Sequence, residues 1–322
     1  MIQMYVNSKK YGMYKKPLLT IGLPVLNGEQ FLEKRIQNIL SQTFQDFELI
    51  ISDNDSTDNT STICQKFTLN DKRIQYFKQK ENIGGIKNYQ FVLDKANTKY
   101  FVFATHDDIW DETFLEKNFV ILENDKYIVG SIGKIQWYGN DLHNKYNKKN
   151  DDKKLKIYYK NFRKKFQHYG VDSIKDSTFE KRAAIFLRKL KTQNPSYVMY
   201  SVFRTDALKK SIKPKDFVDE FYHSFWNNVC ISVLEFGDIH LVDEILIYYN
   251  VAGGGTGITP ITQYKKKQIT FLQCIIPWSG QISWYVHRFG FKFFIKNFKD
   301  FFNLFIMGEI TFLLSLMKEL KK

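Results

Sequence analysis

Between Leu18 and about Asn124, short apolar runs alternate with amphipathic stretches, and this alternation narrows the possible folds of the 322-residue chain more than any other feature. LLTIGLP precedes a helical pattern over Glu29 to Gln42, and FELIIS precedes a helix from Thr57. IQYFK precedes a helix near Gly85 to Ala96, and YFVFAT closes the series. Strands separated by helical segments of roughly 10–15 residues mean βαβ units and a parallel sheet covered on both faces. Ligands of such sheets sit at the carboxyl ends of the strands. Those ends carry Pro24 to Asn27, Asp53 to Asp55, Asn82 to Gly85 and His106 to Asp108, a concentration of polar and acidic groups where chemistry is expected.

Composition narrows the class. A hydrophobic fraction of 43% is that of an ordinary globular protein and excludes a disordered, collagenous or disulfide-scaffold chain. The 48 Lys and Arg against 34 Asp and Glu leave a net charge of +14, which suits an anionic partner: a membrane surface, a nucleotide or a nucleic acid. Cys64, Cys230 and Cys274 lie far apart, without the spacings of a zinc site or disulfide framework, so a reducing compartment is expected. Met1 to Lys16 has no apolar core of the kind a secretory signal needs, and the expectation is a cytoplasmic protein.

Between His143 and His168 lies a lysine-rich segment, read as a loop running into a helix around LKIYYKNFRKKF and, most simply, as a solvated face. Order returns at YVMYSVF, followed by a helix near Thr205 to Ser211, a longer one from Phe217 to Phe236, strands IHLV and ILIYYN, and a glycine-rich loop from Gly253 to Gly257. That loop lacks the Lys-Ser or Lys-Thr of a phosphate-binding P-loop. From Lys265 to Lys322 there are 13 aromatics and 10 basic residues against 3 acids. Phe291, Phe294, Ile295, Phe298, Phe301, Phe302 and Phe305 follow helical spacing there, with Lys292, Lys296, Lys299 and Asn303 on or beside the opposite face. Such a basic amphipathic helix lies in a membrane interface; the competing reading is a terminal helix packed on the domain's own core. Gly308 and Glu309 interrupt the apolar run, which falls short of the roughly 20 residues needed to cross a bilayer.

Two constellations carry chemistry. In IISDNDSTDNT, Ser56 can cap the following helix and Asp58 suits its dipole, but Asp53 at the strand's carboxyl end is placed to accept hydrogen bonds from a nucleobase. In FVFATHDDIW a strand runs into His106, Asp107 and Asp108. Adjacent carboxylates repel unless a cation lies between them, and magnesium or manganese bound with phosphate oxygens is the natural solution; the alternative is an acidic turn capping a helix that begins near Glu112.

Together these stretches, with ENIGGIKNYQ between them, resemble glycosyltransferase family 2, the inverting enzymes with a GT-A fold; the likeness is strong over about 17 to 124 and looser from Tyr200 to Gly257. The aromatic and basic C-terminal stretch is expected to add an amphipathic helical, membrane-associating region over 261–322. The resemblance implies a Rossmann-like, mostly parallel sheet flanked by helices, forming a GT-A domain over 17–260 with a nucleotide-sugar-binding half at 17–130 and an acceptor-side half at 131–260. It implies that Pro24, Asn27 and Glu29 border the nucleoside pocket, that Asp53 contacts the base, and that Asn82, Gly84, Gly85 and Lys87 lie near the ribose or diphosphate. The third position of the family's Asp-x-Asp motif falls on Asp107, the metal ligand, followed by Asp108; the first is Thr105, leaving His106 or Asp108 to take its ribose contact. The base that deprotonates the acceptor falls on Asp219 or Glu220, with His223 in reserve. Late in the domain, where many relatives carry Arg and His, this chain has Asn250 to Gly253.

The expected activity is divalent-metal-dependent transfer from a nucleotide-diphosphate sugar, uridine diphosphate foremost, to a lipid-linked or surface-glycan acceptor at the cytoplasmic membrane face. A non-catalytic nucleotide-sugar or glycan binder of the same fold is the alternative. A nucleic-acid partner is disfavoured, because Asp53, Asp107 and Asp108 at neighbouring strand ends repel phosphates without a metal.

Overall fold

The computed structural model describes residues 16–138, 172–189, 195–212, 222–250 and 279–302. Apolar, β-branched runs form β1 (Leu19–Val25), β2 (Phe47–Asp53), β3 (Ile74–Lys78) and β4 (Tyr100–Phe103). Every residue of β1 and β4 is buried, so these strands read as continuous apolar runs rather than alternating ones. Their connections are α1 (Glu29–Leu40), α2 (Thr60–Asn70) and α3 (Gly85–Lys95). Helix α1 buries Leu32, Ile36 and Ile39, and α3 buries Tyr89, Val92 and Leu93 against β1 and β2.

Beyond β4 come β5 (Ile109–Trp110), α4 (Phe114–Asn124), β6 (Ile128–Tyr138), α5 (Phe179–Lys189), a 3-10 turn (Pro195–Tyr200), β7 (Val202–Arg204), α6 (Thr205–Ser211), α7 (Tyr222–Val233) and β8 (Asp238–Asn250). All eight strands make one sheet in the order β3-β2-β1-β4-β7-β6-β8-β5. The first four are parallel, β7 runs antiparallel to β4 and β6, and β8 lies parallel to β6. Strand β6 crosses the expected division at residue 130.

The chain winds from β1 to β2 and β3 on one side, then places β4 on the other, making β1 the switch point. Pairing of β1 with β4 ends at Gly22↔Phe103, whereas pairing with β2 runs to Val25↔Asp53. The Val25 carbonyl accepts the Asn54 N–H, so Pro24, of opposite parity, faces the side where β4 has already ended. A proline in this central strand therefore removes no ladder hydrogen bond, and the sheet opens beside it.

Several sequence expectations change. The helix expected from Thr57 begins at Thr60, and the one expected near Glu112 begins at Phe114. The strands IHLV and ILIYYN are one strand, β8, which absorbs the exposed Asp243 and Glu244 through register shifts against β6. Strands β5 and β6 and helix α5 were not foreseen. The Lys-rich segment, the Gly253 to Gly257 loop and the first residues of the helix expected from Phe217 lie outside the described residues.

Helices α8 (Ser279–Phe289) and α9 (Phe291–Lys296) follow, with a further helical turn over 298–302. They sit on the domain: Phe179 of α5 meets Phe289 and Phe293 with ring centroids 5.1 and 5.9 Å apart, and Arg288 pairs with Glu235 at 2.8 Å; within the segment, Tyr285 meets Phe301 at 4.9 Å. The single apolar stripe expected here is split. Phe301 turns inward with Phe293 and Asn297, whereas Phe291, Ile295, Phe298 and Phe302 are 65%, 54%, 51% and 51% exposed. Phe305 lies outside the described residues. Lys292, Lys296 and Lys299 are exposed beside the outward stripe. Among the described residues, no helix is long and apolar enough to cross a membrane.

Candidate active site

The carboxyl ends of β1 to β4 and of β8 meet at one crevice, and side chains lace its loops together. Asn27, in a left-handed conformation at φ 51°, donates its backbone N–H to Ser56 Oγ (2.9 Å) and accepts the Thr57 N–H on Oδ1 (2.9 Å). Thr60 Oγ1 accepts the Gly28 N–H at 2.8 Å. Glu29 donates its N–H to Asp58 Oδ2 (3.0 Å) and accepts the Asn59 N–H and side-chain amide on Oε2, both at 2.9 Å. Gly28 is required for close approach, since a Cβ there would lie 2.6 Å from Val25 and 3.2 Å from the His106 ring.

Asp53 is fully buried: Oδ1 accepts the Ser56 N–H at 2.8 Å and Oδ2 accepts the Tyr76 hydroxyl at 2.9 Å. Asn54 donates to Asn82 Oδ1 and accepts the Ile83 N–H, both at 2.9 Å. Asn82 Oδ1 also takes the N–H of Gly84, whose φ of 86° starts α3. Lys87 stands exposed in the first turn of that helix.

The acid loop after β4 is built differently. Asp108 is 2% exposed; Oδ1 accepts the Asn250 N–H at 2.9 Å, at the end of β8, and Oδ2 accepts the Thr105 hydroxyl. Burial and the neighbouring Asp107 push the Asp108 carboxyl up to about 6. Burial also raises Asp107, whose carbonyl accepts the Tyr138 hydroxyl at 3.0 Å. Burial lowers the His106 imidazole below its ordinary value, against the pull of Asp108. Beneath them lies Arg35 of α1, 1% exposed, with Nε donating to the Thr105 carbonyl at 2.9 Å and its guanidinium 4.0 Å above the Trp110 ring. Burial lowers Arg35 to about 10, so it stays cationic at neutral pH, and Asp108 and Asp107 are the opposite charges that hold it there.

The structure thus gathers Pro24, Asn27, Glu29, Asp53, Asn82, Lys87, His106, Asp107 and Asp108 around one crevice, but their side chains are not equally available. Ser56 was expected to cap α2; instead it holds Asn27, and Asp58 Oδ1 takes the Thr60 N–H. Asp53, expected to face a base, spends one lone pair of each oxygen on the protein. Both Asp108 oxygens are engaged as well, leaving Asp107 the better placed ligand. Asp219 and Glu220 lie outside the described residues, as does the side chain of His223. Arg35 was missed, although it interrupts the apolar stripe Leu32, Ile36, Ile39 at a buried position, a signal visible in the sequence.

A hard divalent ion fits this donor set. Two adjacent carboxylates, both raised by burial, face a single cation, Arg35, and hard divalent ions need only one or two carboxylates when phosphate oxygens complete the shell. Among the described residues, no group of three or more His, Cys, Asp or Glu forms a ready cage.

A mixed sheet of this order, with acids at its switch point, has the architecture of the GT-A class of transferases. A family model described as glycosyl transferase family 2 matches residues 20–192, more than half of the chain, and the chain belongs to that family. It is 33% identical over 102 residues to the putative teichuronic acid biosynthesis glycosyltransferase TuaG of Bacillus subtilis, a match covering 32% of this chain and 40% of TuaG. It is 37% identical over 95 residues to the GalNAc(5)-diNAcBac-PP-undecaprenol beta-1,3-glucosyltransferase of Campylobacter jejuni, covering 29% and 30% of the two chains. These matches therefore span less than half of each relative. Among solved structures, residues 1–349 of S. aureus TarS in complex with UDP share the fold, with a TM-score of 0.54 at 14% identity over 92% of both chains.

Proposed function

We propose that the protein is a metal-dependent, inverting glycosyltransferase that moves a sugar from a nucleotide-diphosphate donor to a lipid-linked or surface-glycan hydroxyl at the cytoplasmic membrane face. The observation that carries this reading is Asp107, a half-buried carboxylate at the carboxyl end of a central strand, in a crevice bordered by the laced loops of β1 and β2. A divalent ion, manganese or magnesium, bound there supplies positive charge to the departing diphosphate. The chain's own parts divide the remaining work. The Asn27 and Asp55 turns shape the nucleoside end, with the remaining lone pairs of Asp53 beneath it. The start of α3 with Lys87 faces the anionic end, and Asp219 or Glu220 takes the acceptor proton. Uridine diphosphate is the first donor nucleotide to test, since TarS crystals hold UDP and UDP-GlcNAc. The undecaprenol-linked substrate named for the Campylobacter relative supports a lipid-linked acceptor.

The test is calorimetric titration with uridine, guanosine and thymidine diphosphates, each with manganese and with a chelator. Manganese-dependent binding of one nucleotide is expected, and binding indifferent to the chelator would remove the metal. Binding without transfer to any acceptor would favour the non-catalytic reading, for which Thr105 in place of an acid is the motive.

Membrane placement rests on the three sectors of α9 and the helical turn after it: an inward face, an outward apolar stripe of Phe291, Ile295, Phe298 and Phe302, and lysines beside it. Aromatic insertion with adjacent ammonium groups suits an anionic bilayer surface. The protein should sediment with phosphatidylglycerol vesicles and less with phosphatidylcholine. Replacing Phe298 and Phe302 together by Asp should abolish that sedimentation at unchanged melting temperature; persistence would return the stripe to another role.

A further inference from the structure

The most unusual group near the site is one that no catalytic role has used. Arg35 is buried on a helix whose other inward residues are aliphatic, and taking a guanidinium out of water costs several kcal/mol unless its charge is met. Its fork is only partly spent. Nε holds the Thr105 carbonyl and one terminal nitrogen donates to Asn38 Oδ1 at 2.8 Å, while the other is buried without a hydrogen-bond partner. Asn38 in turn brackets the far end of the acid loop, donating to the Trp110 carbonyl (2.8 Å) and accepting the Trp110 N–H (2.9 Å). One turn of α1 thus grips the loop at residues 105 and 110, with Asp107 and Asp108 between, and the cation lies under that span.

We propose that Arg35 is the resident counter-charge of the acid loop: bonded to the loop backbone at Thr105 rather than to either carboxylate, it offsets their charge through space and weakens their hold on a free divalent ion until a nucleoside diphosphate brings further negative charge. The proposal rests on the metal-dependent reading above. Its physical content is a coupling between two ligands. With Arg35 present, the loop carries at most one net negative charge, too little to hold a hydrated dication firmly; phosphate oxygens restore the balance, so ion and donor bind as a pair. A neutral residue in its place leaves two uncompensated carboxylates, which should take the ion alone.

Chelator-stripped protein is titrated calorimetrically with manganese, alone and with saturating uridine diphosphate. Wild type should bind manganese weakly alone and tightly with the nucleotide. Arg35→Gln, which keeps an N–H donor for the Thr105 carbonyl, should bind manganese alone about tenfold tighter, within the usual range of coupling between sites. Arg35→Lys, which keeps the charge, should behave as wild type, and Asp107→Asn should lose the ion in either background. A folded Arg35→Gln with unchanged or weaker manganese affinity overturns the proposal, as does Arg35→Lys behaving like Arg35→Gln. Should Arg35→Gln not fold, the wild-type pair of titrations still decides: equal manganese affinity with and without nucleotide refutes the coupling. No manganese binding by wild type with any of the three nucleotides would bring down the metal-dependent reading itself, and this proposal with it.

Discussion

The two walls of the crevice handle negative charge in opposite ways. On the wall made by the loops after β1 and β2, Glu29, Asp53 and Asp58 each accept backbone N–H groups, so their charge serves to hold loops together. Burial works against Asp58, but hydrogen bonds from Thr60 and the Glu29 N–H outweigh it and hold its carboxyl below the usual range. On the wall after β4, burial dominates, Asp107 and Asp108 are raised, and a buried arginine lies beneath them. On the first wall hydrogen bonds decide the state of the acids; on the second burial decides it, even for Asp108, whose two oxygens accept from Asn250 and Thr105.

The sharpest way to break this contrast is Asp107→Asn. It should lower kcat/KM for metal-dependent transfer about 10²–10³-fold, the scale of losing one electrostatic stabiliser. Melting temperature should stay level or rise, because a raised carboxyl is a poor contributor to folding. Asp53→Ala should do the reverse, costing about 1–3 kcal/mol in chemical denaturation by orphaning the Ser56 N–H and leaving the Tyr76 hydroxyl only Ser61 as a partner. Third is a pH experiment in chelator. Asp108 titrates at about 6 in the fold against a reference of 3.8, so the folded state binds the extra proton and this group's contribution falls as pH rises through that window. Asp108→Asn should flatten the decline in melting temperature between these values; an unaltered slope would show that Asp108 does not cause it. The smallest effect should come from Asp58→Asn, with opposite sign. A lowered carboxyl stabilises above its unfolded pKa and ceases to below its folded one, so the variant should lose slight stability at pH 7 and none in acid.

The parallel half of the fold was legible because fully covered strands are written as unbroken apolar runs and their helices as 3.6-residue stripes. Strand β6 was passed over: IVGSIGKIQWY mixes small and polar residues, and its partners β7 and β8 lie 60 or more residues downstream. The positions of the acids were readable, since each follows a strand directly. Their states were not. Whether Asp53 is spent depends on Tyr76 two elements later, and whether Asp108 is buried depends on Asn250 at the other end of the domain. In the C-terminal helices the aromatic density was plain, but dividing it between a core face and an outward face required knowing that Phe179 and Tyr285 would receive Phe293 and Phe301.

Pro24 gives the crevice a property that only an imino acid can supply. Where a neighbouring strand stops short, an ordinary residue leaves an N–H aimed into the gap, and that donor must be satisfied by water or by whatever enters. The β1 edge of this opening has no such donor at residue 24, so its polarity is set by carbonyl oxygens and by the side chains around it. An incoming ligand meets an aperture with no amide to satisfy at that point, and its orientation is left to groups placed elsewhere on the rim.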